Sequence, residues 1–118
     1  MNKIDFQDFK RIMLYAINNN ACIEIEFCVD NYMEFQNAWM GKIVNPNTKK
    51  PTFWFGLTPD GTQAYDFDTF EAFISARIFR GKSIEEIWDS ISISSLDGGL
   101  LEETLPFYLE QEEKSDKP

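Results

Sequence analysis

Residues 53–67 constrain this chain more than any other stretch. Phe53, Phe55 and Leu57 alternate with Trp54 and Gly56, and a period of two with one apolar side is the pattern of a strand that buries one face. Thr58-Pro59-Asp60-Gly61-Thr62 follows. Proline presets its own φ, an aspartate side chain folds back on the backbone, and glycine takes the positive φ that closes a short loop. The return strand, residues 62–67, sets Gln63, Tyr65 and Phe67 against Ala64 and Asp66. The rest of the chain is placed by reference to this hairpin.

Two helices are expected after it. Asp68 stands as the N-cap of the first, with Glu71 at the capping-box position and Phe67 and Ala72 at the staple positions. Phe70, Phe73, Ile74, Arg77 and Ile78 fall at helical spacing, and Gly81 fits the helix end. Ser83 with Glu86 repeats the capping box, and Ile84, Ile87, Trp88 and Ile91 share a face behind it. Both helices should pack on one side of the hairpin's sheet.

Upstream, Asp5 caps a helix carrying Phe6, Phe9, Met13, Ala16 and Ile17, which Asn18-Asn19-Asn20 ends. Residues 21–28 alternate cleanly, Ile23, Ile25 and Phe27 on one face and Cys22, Glu24, Glu26 and Cys28 on the other. Residues 35–44 alternate less clearly, Trp39, Gly41 and Ile43 against Ala38, Met40, Lys42 and Val44. Asn45 to Pro51 is a loop. Downstream, residues 92–95 are either a short edge strand or loop, and Asp97-Gly98-Gly99 is a turn. Residues 100–109 are too apolar to stay off the body. Residues 110–118 lack any apolar side chain and read as a mobile acidic tail.

The expected fold is α+β: an N-terminal helix, an antiparallel meander of three or four strands, two short helices packed on one face, and a C-terminal extension. Residues 1–109 make one domain. With 43% hydrophobic and 15% aromatic residues in 118, there is ample material for a core. The longest apolar run, Ile12 to Ile17, is far too short for a bilayer, and the start lacks a secretory signal's apolar segment. A soluble cytoplasmic protein without membrane contact is expected. Cys22 and Cys28, six apart on one strand, stand roughly 20 Å from each other and cannot bridge, which fits a reducing compartment.

Charge and composition also narrow the chemistry. The formal net charge is −9, which disfavours direct binding to nucleic acid and leaves a basic protein partner open. The chain has no histidine, which removes the commonest general base, histidine-dependent triads and most zinc sites. A cysteine nucleophile would be flanked by Glu24 and Glu26, whose charges oppose a thiolate. Those two glutamates could form an acid/base pair only inside a cleft, which an open sheet face lacks. Asp66 and Asp68 have a cation-binding spacing, but Asp68 is already accounted for as a cap. No catalytic, cofactor or metal site is assigned.

A partner-binding surface is the better reading. If all helices lie on one side, the opposite sheet face carries Cys22, Glu24, Glu26, Cys28, Met40, Lys42 and Trp54, with Ala64 and Asp66 beside them. Alternatively, residues 100–109 cover that face. Glu85, Glu86 and Asp89 form a second acidic surface. The candidate partner surface is therefore Glu24, Glu26, Met40, Trp54, Glu85, Glu86 and Asp89. The function expected is a small acidic, non-enzymatic protein-binding module that regulates or inhibits a basic partner. The alternatives are a mimic of nucleic-acid phosphates of the anti-defence type, a homo-oligomer such as a dimer, and a carboxylate- or metal-dependent enzyme using Glu24, Glu26, Asp66 and Asp68.

Overall fold

The computed structural model describes residues 3–14, 22–106 and 108. Expectations for Asn18 to Asn20 and for the tail 110–118 lie outside these residues. Helix α1 (Phe6–Leu14) begins as expected: the Asp5 Oδ1 accepts the Gln7 N–H at 3.0 Å, and Phe9, Ile12 and Met13 are buried on one side. Strands β1 (Ile23–Val29), β2 (Ala38–Val44), β3 (Pro51–Gly56), β4 (Ala64–Phe67) and β5 (Ile91–Leu96) form one antiparallel sheet. Its order is β4-β3-β2-β1-β5.

The α+β class therefore holds, with two corrections. The sheet has five strands rather than three or four, and β5 returns to pair with β1 instead of extending the meander. Of the two readings open for residues 92–95, edge strand or loop, the edge strand is the one that forms, paired along β1. A bulge between Glu26 and Phe27 lets β5 keep Ile91, Ile93 and Leu96 toward the core.

The hairpin turn is built from Asp60, whose Oδ1 accepts from the Thr58 hydroxyl at 2.7 Å, the Thr62 hydroxyl at 2.8 Å and the Thr62 N–H at 3.0 Å. These donors hold the Asp60 carboxyl below its ordinary pKa. Gly61 takes φ 77, which glycine adopts without steric cost.

The two expected helices are both shorter. Helix α2 spans only Phe70–Ser75, and its cap is Thr69, whose Oγ1 accepts the Ala72 N–H at 3.1 Å, not Asp68. The backbone turns extended at Ala76. Phe79 and Lys82 then bond reciprocally, at 3.0 and 3.1 Å, around Arg80 and Gly81, which have φ 55 and φ 83. Two positive φ values in a two-residue turn send the chain back on itself, so the helix cannot run to Gly81. The Ser83–Glu86 capping box forms in both directions, at 3.0 and 3.2 Å. It closes a turn that leads only to a short 3-10 segment, Trp88–Ser90.

All of these elements lie on one face of the sheet. Phe73 of α2 stacks on Phe55 with ring centroids 4.2 Å apart and 10° between planes. Phe9 of α1 meets Phe73, Phe70 and Trp88, and Phe79 meets Phe27, Phe35 and Phe55. The core is thus largely an aromatic layer between sheet and helices, which accounts for the unusual weight of phenylalanine in the sequence. Residues 101–106 are helical and bring Leu101 into the same layer. No helix among the described residues is long and apolar enough to cross a membrane.

Candidate functional site

The strand registers decide what the opposite face carries. Ile23 pairs with Lys42, Ile25 with Met40 and Phe27 with Ala38. Lys42 and Met40 in turn pair with Phe53 and Phe55. Side chains directly opposite each other share a face, so Met40 and Lys42 point into the core and both are fully buried. This corrects their expected place on the open face: Met40 is no part of a partner surface, and Lys42 is no surface partner for Glu24 or Glu26. The outward residues of β2 are Trp39, Gly41 and Ile43.

Gly41 is the centre of this face. It pairs with Glu24 on one side and Trp54 on the other. A β-carbon at Gly41 would run into the Ile23 carbonyl oxygen and would stand 2.7 Å from Cζ2 and 2.9 Å from Cε2 of Trp54. The indole thus occupies the space that a side chain at position 41 would need. Its Nε1 is buried and has no hydrogen-bond partner among the described residues.

Around that slot lie Trp39, 36% exposed, and Ile43, 55% exposed. Glu26 stands opposite Trp39, and Trp39 opposite Gly56. Asp66 is exposed and stands opposite Trp54 from β4. Ser95 and Ser92 pair outward with Glu26 and Cys28, and the Ser95 hydroxyl donates weakly to Glu26 at 3.5 Å. The outward positions of the five strands therefore combine two indoles and an isoleucine with Glu24, Glu26 and Asp66, and none of them is Lys or Arg. Neither Cys22 nor Cys28 is in a disulfide.

The described part of the C-terminal extension lies elsewhere. Leu101 lines a small cavity with Ile4, Phe9, Ile12, Ile25, Ile93 and Leu96, on the helical side of the sheet. The Tyr108 hydroxyl donates to Asp97, which also accepts the Glu24 N–H at 2.9 Å and returns its own N–H to the Glu24 carbonyl at 2.8 Å. The cavity is lined by apolar side chains alone, so it offers no acid, base or nucleophile.

Glu85, Glu86 and Asp89 do not join the open face. Ile84, Ile87 and Trp88 anchor their segment to the helical layer, where the Trp88 Nε1 donates to the Ile4 carbonyl at 2.8 Å. Glu86 is engaged by Ser83, whose N–H is the first cause of its lowered pKa. The Asp89 carbonyl accepts from Lys3 at 3.0 Å. The expected seven-residue surface thus divides into an open sheet face, a buried methionine and a separate acidic segment. Asp68 sits exposed in the turn before α2. Among the described residues no three His, Cys, Asp or Glu side chains gather closely enough to hold a metal ion.

Sequence reasoning missed Trp39 and Ile43. The alternation in β2 was legible, but the lysine drew the wrong side outward. The signal that could have corrected it is Gly41, a residue without a side chain facing the large Trp54.

Lys42 is the one described group whose pKa is displaced far, down to about 8, chiefly by burial, with the charge of Cys22 acting in the other direction. Desolvation disfavours the ammonium form. In the unfolded chain the group titrates near 10.4. Between about pH 8 and that value the unfolded state binds more protons, so this group's contribution to stability rises with pH there. Lys42→Met should therefore stabilise the protein at pH 7 by on the order of 2 kcal/mol. Urea denaturation of both forms should show that advantage shrinking from pH 8 to pH 10. A constant difference across that range would mean that Lys42 keeps its charge in the folded protein and that burial does not lower its pKa.

Comparison of the chain with family models, curated proteins and solved structures finds no match. The class defined by fold and surface is a single-sheet α+β domain with one helical face and one open, acidic and aromatic face.

Proposed function

We propose that this protein is a small acidic binding module that docks on a basic protein through the open face of its sheet. The observation that supports this reading is the coincidence, on one face, of Trp39, Trp54 and Ile43 with three carboxylates and no Lys or Arg among the described outward strand residues. Indole side chains supply large contact area at little cost in conformational entropy and dominate many binding surfaces. Carboxylates around them steer a positively charged partner and reject an acidic one. The net charge of −9 has the same effect at longer range. Docking would act by occupying the partner's surface, as an inhibitor or regulator does.

The test is affinity capture from lysate of the native organism at low and at half-molar salt, with three baits. The wild type and a Glu85→Gln/Asp89→Asn variant are expected to retain the same basic protein in near-equal amount. A Trp39→Ser/Ile43→Ser variant, altered only at exposed positions, should lose it at least tenfold. Retention by the Trp39/Ile43 variant, or loss with the Glu85/Asp89 variant alone, would move the contact to the other acidic segment and overturn the reading.

A further inference from the structure

We infer that the cations received by this face are arginine side chains, each held between an indole and a carboxylate. The inference rests on the docking face proposed above. The registers place an acid next to both tryptophans: Glu26 directly across from Trp39, and Asp66 directly across from Trp54. Glu24 stands across from Gly41, over which the Trp54 indole lies. Directly opposed side chains in an antiparallel pair have β-carbons about 4.5–5.5 Å apart. One planar guanidinium can then lie on a ring face while its N–H groups reach the neighbouring carboxylate.

The chain uses this arrangement for a guanidinium of its own. Arg80 lies over the Tyr32 ring, 4.3 Å from its centroid, and donates two hydrogen bonds to Glu34, at 2.8 and 2.6 Å. That fork holds the Glu34 carboxyl below its ordinary pKa. An aromatic ring and a carboxylate two residues apart thus already bind a guanidinium in this protein, at an exposed place. On the open face the same two groups recur twice, brought together across strands, without a cation of the chain among the outward strand residues.

Arginine fits this pairing better than lysine. Its guanidinium is flat, weakly hydrated and forked, so it stacks and accepts bidentate pairing at once, whereas an ammonium is a compact, strongly hydrated point charge. Two indole–acid pairs on adjacent strands suit a partner segment that presents two arginines side by side.

The experiment uses three blocked five-residue peptides: Arg-Gly-Arg-Gly-Arg, its all-lysine counterpart, and the citrulline form, which keeps the shape and loses the charge. Each is titrated into the full-length protein, read by the three indole N–H resonances in nitrogen-15 correlation spectra. The arginine peptide should shift the Trp39 and Trp54 signals and spare Trp88, and should bind at least fivefold tighter than the lysine peptide. The citrulline peptide should not bind. Glu26→Gln and Trp39→Phe should each weaken the arginine peptide severalfold, while Glu85→Gln leaves it unchanged. Equal affinity for arginine and lysine, or shifts confined to Trp88, would overturn the inference. Should lysate capture still depend on Trp39 and Ile43 in that event, the docking face stands and only the arginine assignment falls. Capture independent of those residues removes the docking face itself.

Discussion

Phe73→Ala is expected to cost about 4 kcal/mol of folding stability. The side chain is fully buried and touches most of the aromatic layer: it stacks on Phe55 at 4.2 Å and lies 5.8–6.4 Å from Phe53, Phe70, Phe9 and Phe67. Rings on several elements close around it, so truncation leaves a void that cannot collapse without moving α1, α2 and two strands together. A domain of this size has in total about 5–15 kcal/mol. The variant should therefore lose a large part of its cooperative urea transition, with the midpoint moved sharply down. Phe73→Leu, which keeps most of the volume, should cost less than half as much. If the alanine variant loses less than about 1 kcal/mol, α2 is not docked on the sheet as described.

The second large effect is expected at Gly41. Gly41→Ala adds a single methyl group, yet that carbon meets the Ile23 carbonyl oxygen and two indole carbons of Trp54. Overpacking of this kind costs typically 1–3 kcal/mol and more when the obstacle is backbone, so a loss of about 3 kcal/mol is expected. The two obstacles separate in a double-mutant cycle. Trp54→Ala in the Gly41→Ala background removes the indole and should recover part of the loss, while the carbonyl contact keeps the remainder. Full recovery would mean that the β1–β2 backbone yields freely. No recovery would mean that the indole does not lie over Gly41. The same cycle also reports on the docking face, since its central indole depends on that glycine.

What was legible in the sequence was local. The Asp60 turn, the Asp5 cap and the Ser83–Glu86 box depend on residues within a few positions of one another, and all three form. The face assignment of β1 was legible because isoleucines and a phenylalanine alternate with glutamates and cysteines. That of β2 was not. Trp39 and Ile43 are as apolar as Met40 and Val44, and a lysine is ordinarily solvated, so nothing local says that Lys42 goes inward. Only the pairing of Lys42 with Ile23 and Phe53 decides it. The helices were overextended for the converse reason. Caps mark where a helix can begin, but the turn at Arg80-Gly81 is closed by bonds between Phe79 and Lys82. It is reinforced by Glu34, far away in the chain. On the outward sheet face, alternation alone places Trp54, Glu24, Glu26 and Asp66, whereas Trp39 and Ile43 require the register.

The return of β5 to β1 has a consequence in time. The pairs β1–β2, β2–β3 and β3–β4 join neighbours in the chain and can zip in sequence, whereas Ile25 must wait for Leu96 and Val29 for Ile91. Closing so long a loop is the slow, entropically costly step in folding a sheet. During synthesis, at several residues per second, β1 spends many seconds with a bare hydrogen-bonding edge. The nascent protein is most exposed to mispairing in that interval, and the serine-rich strand that ends it is the last of the five to leave the ribosome.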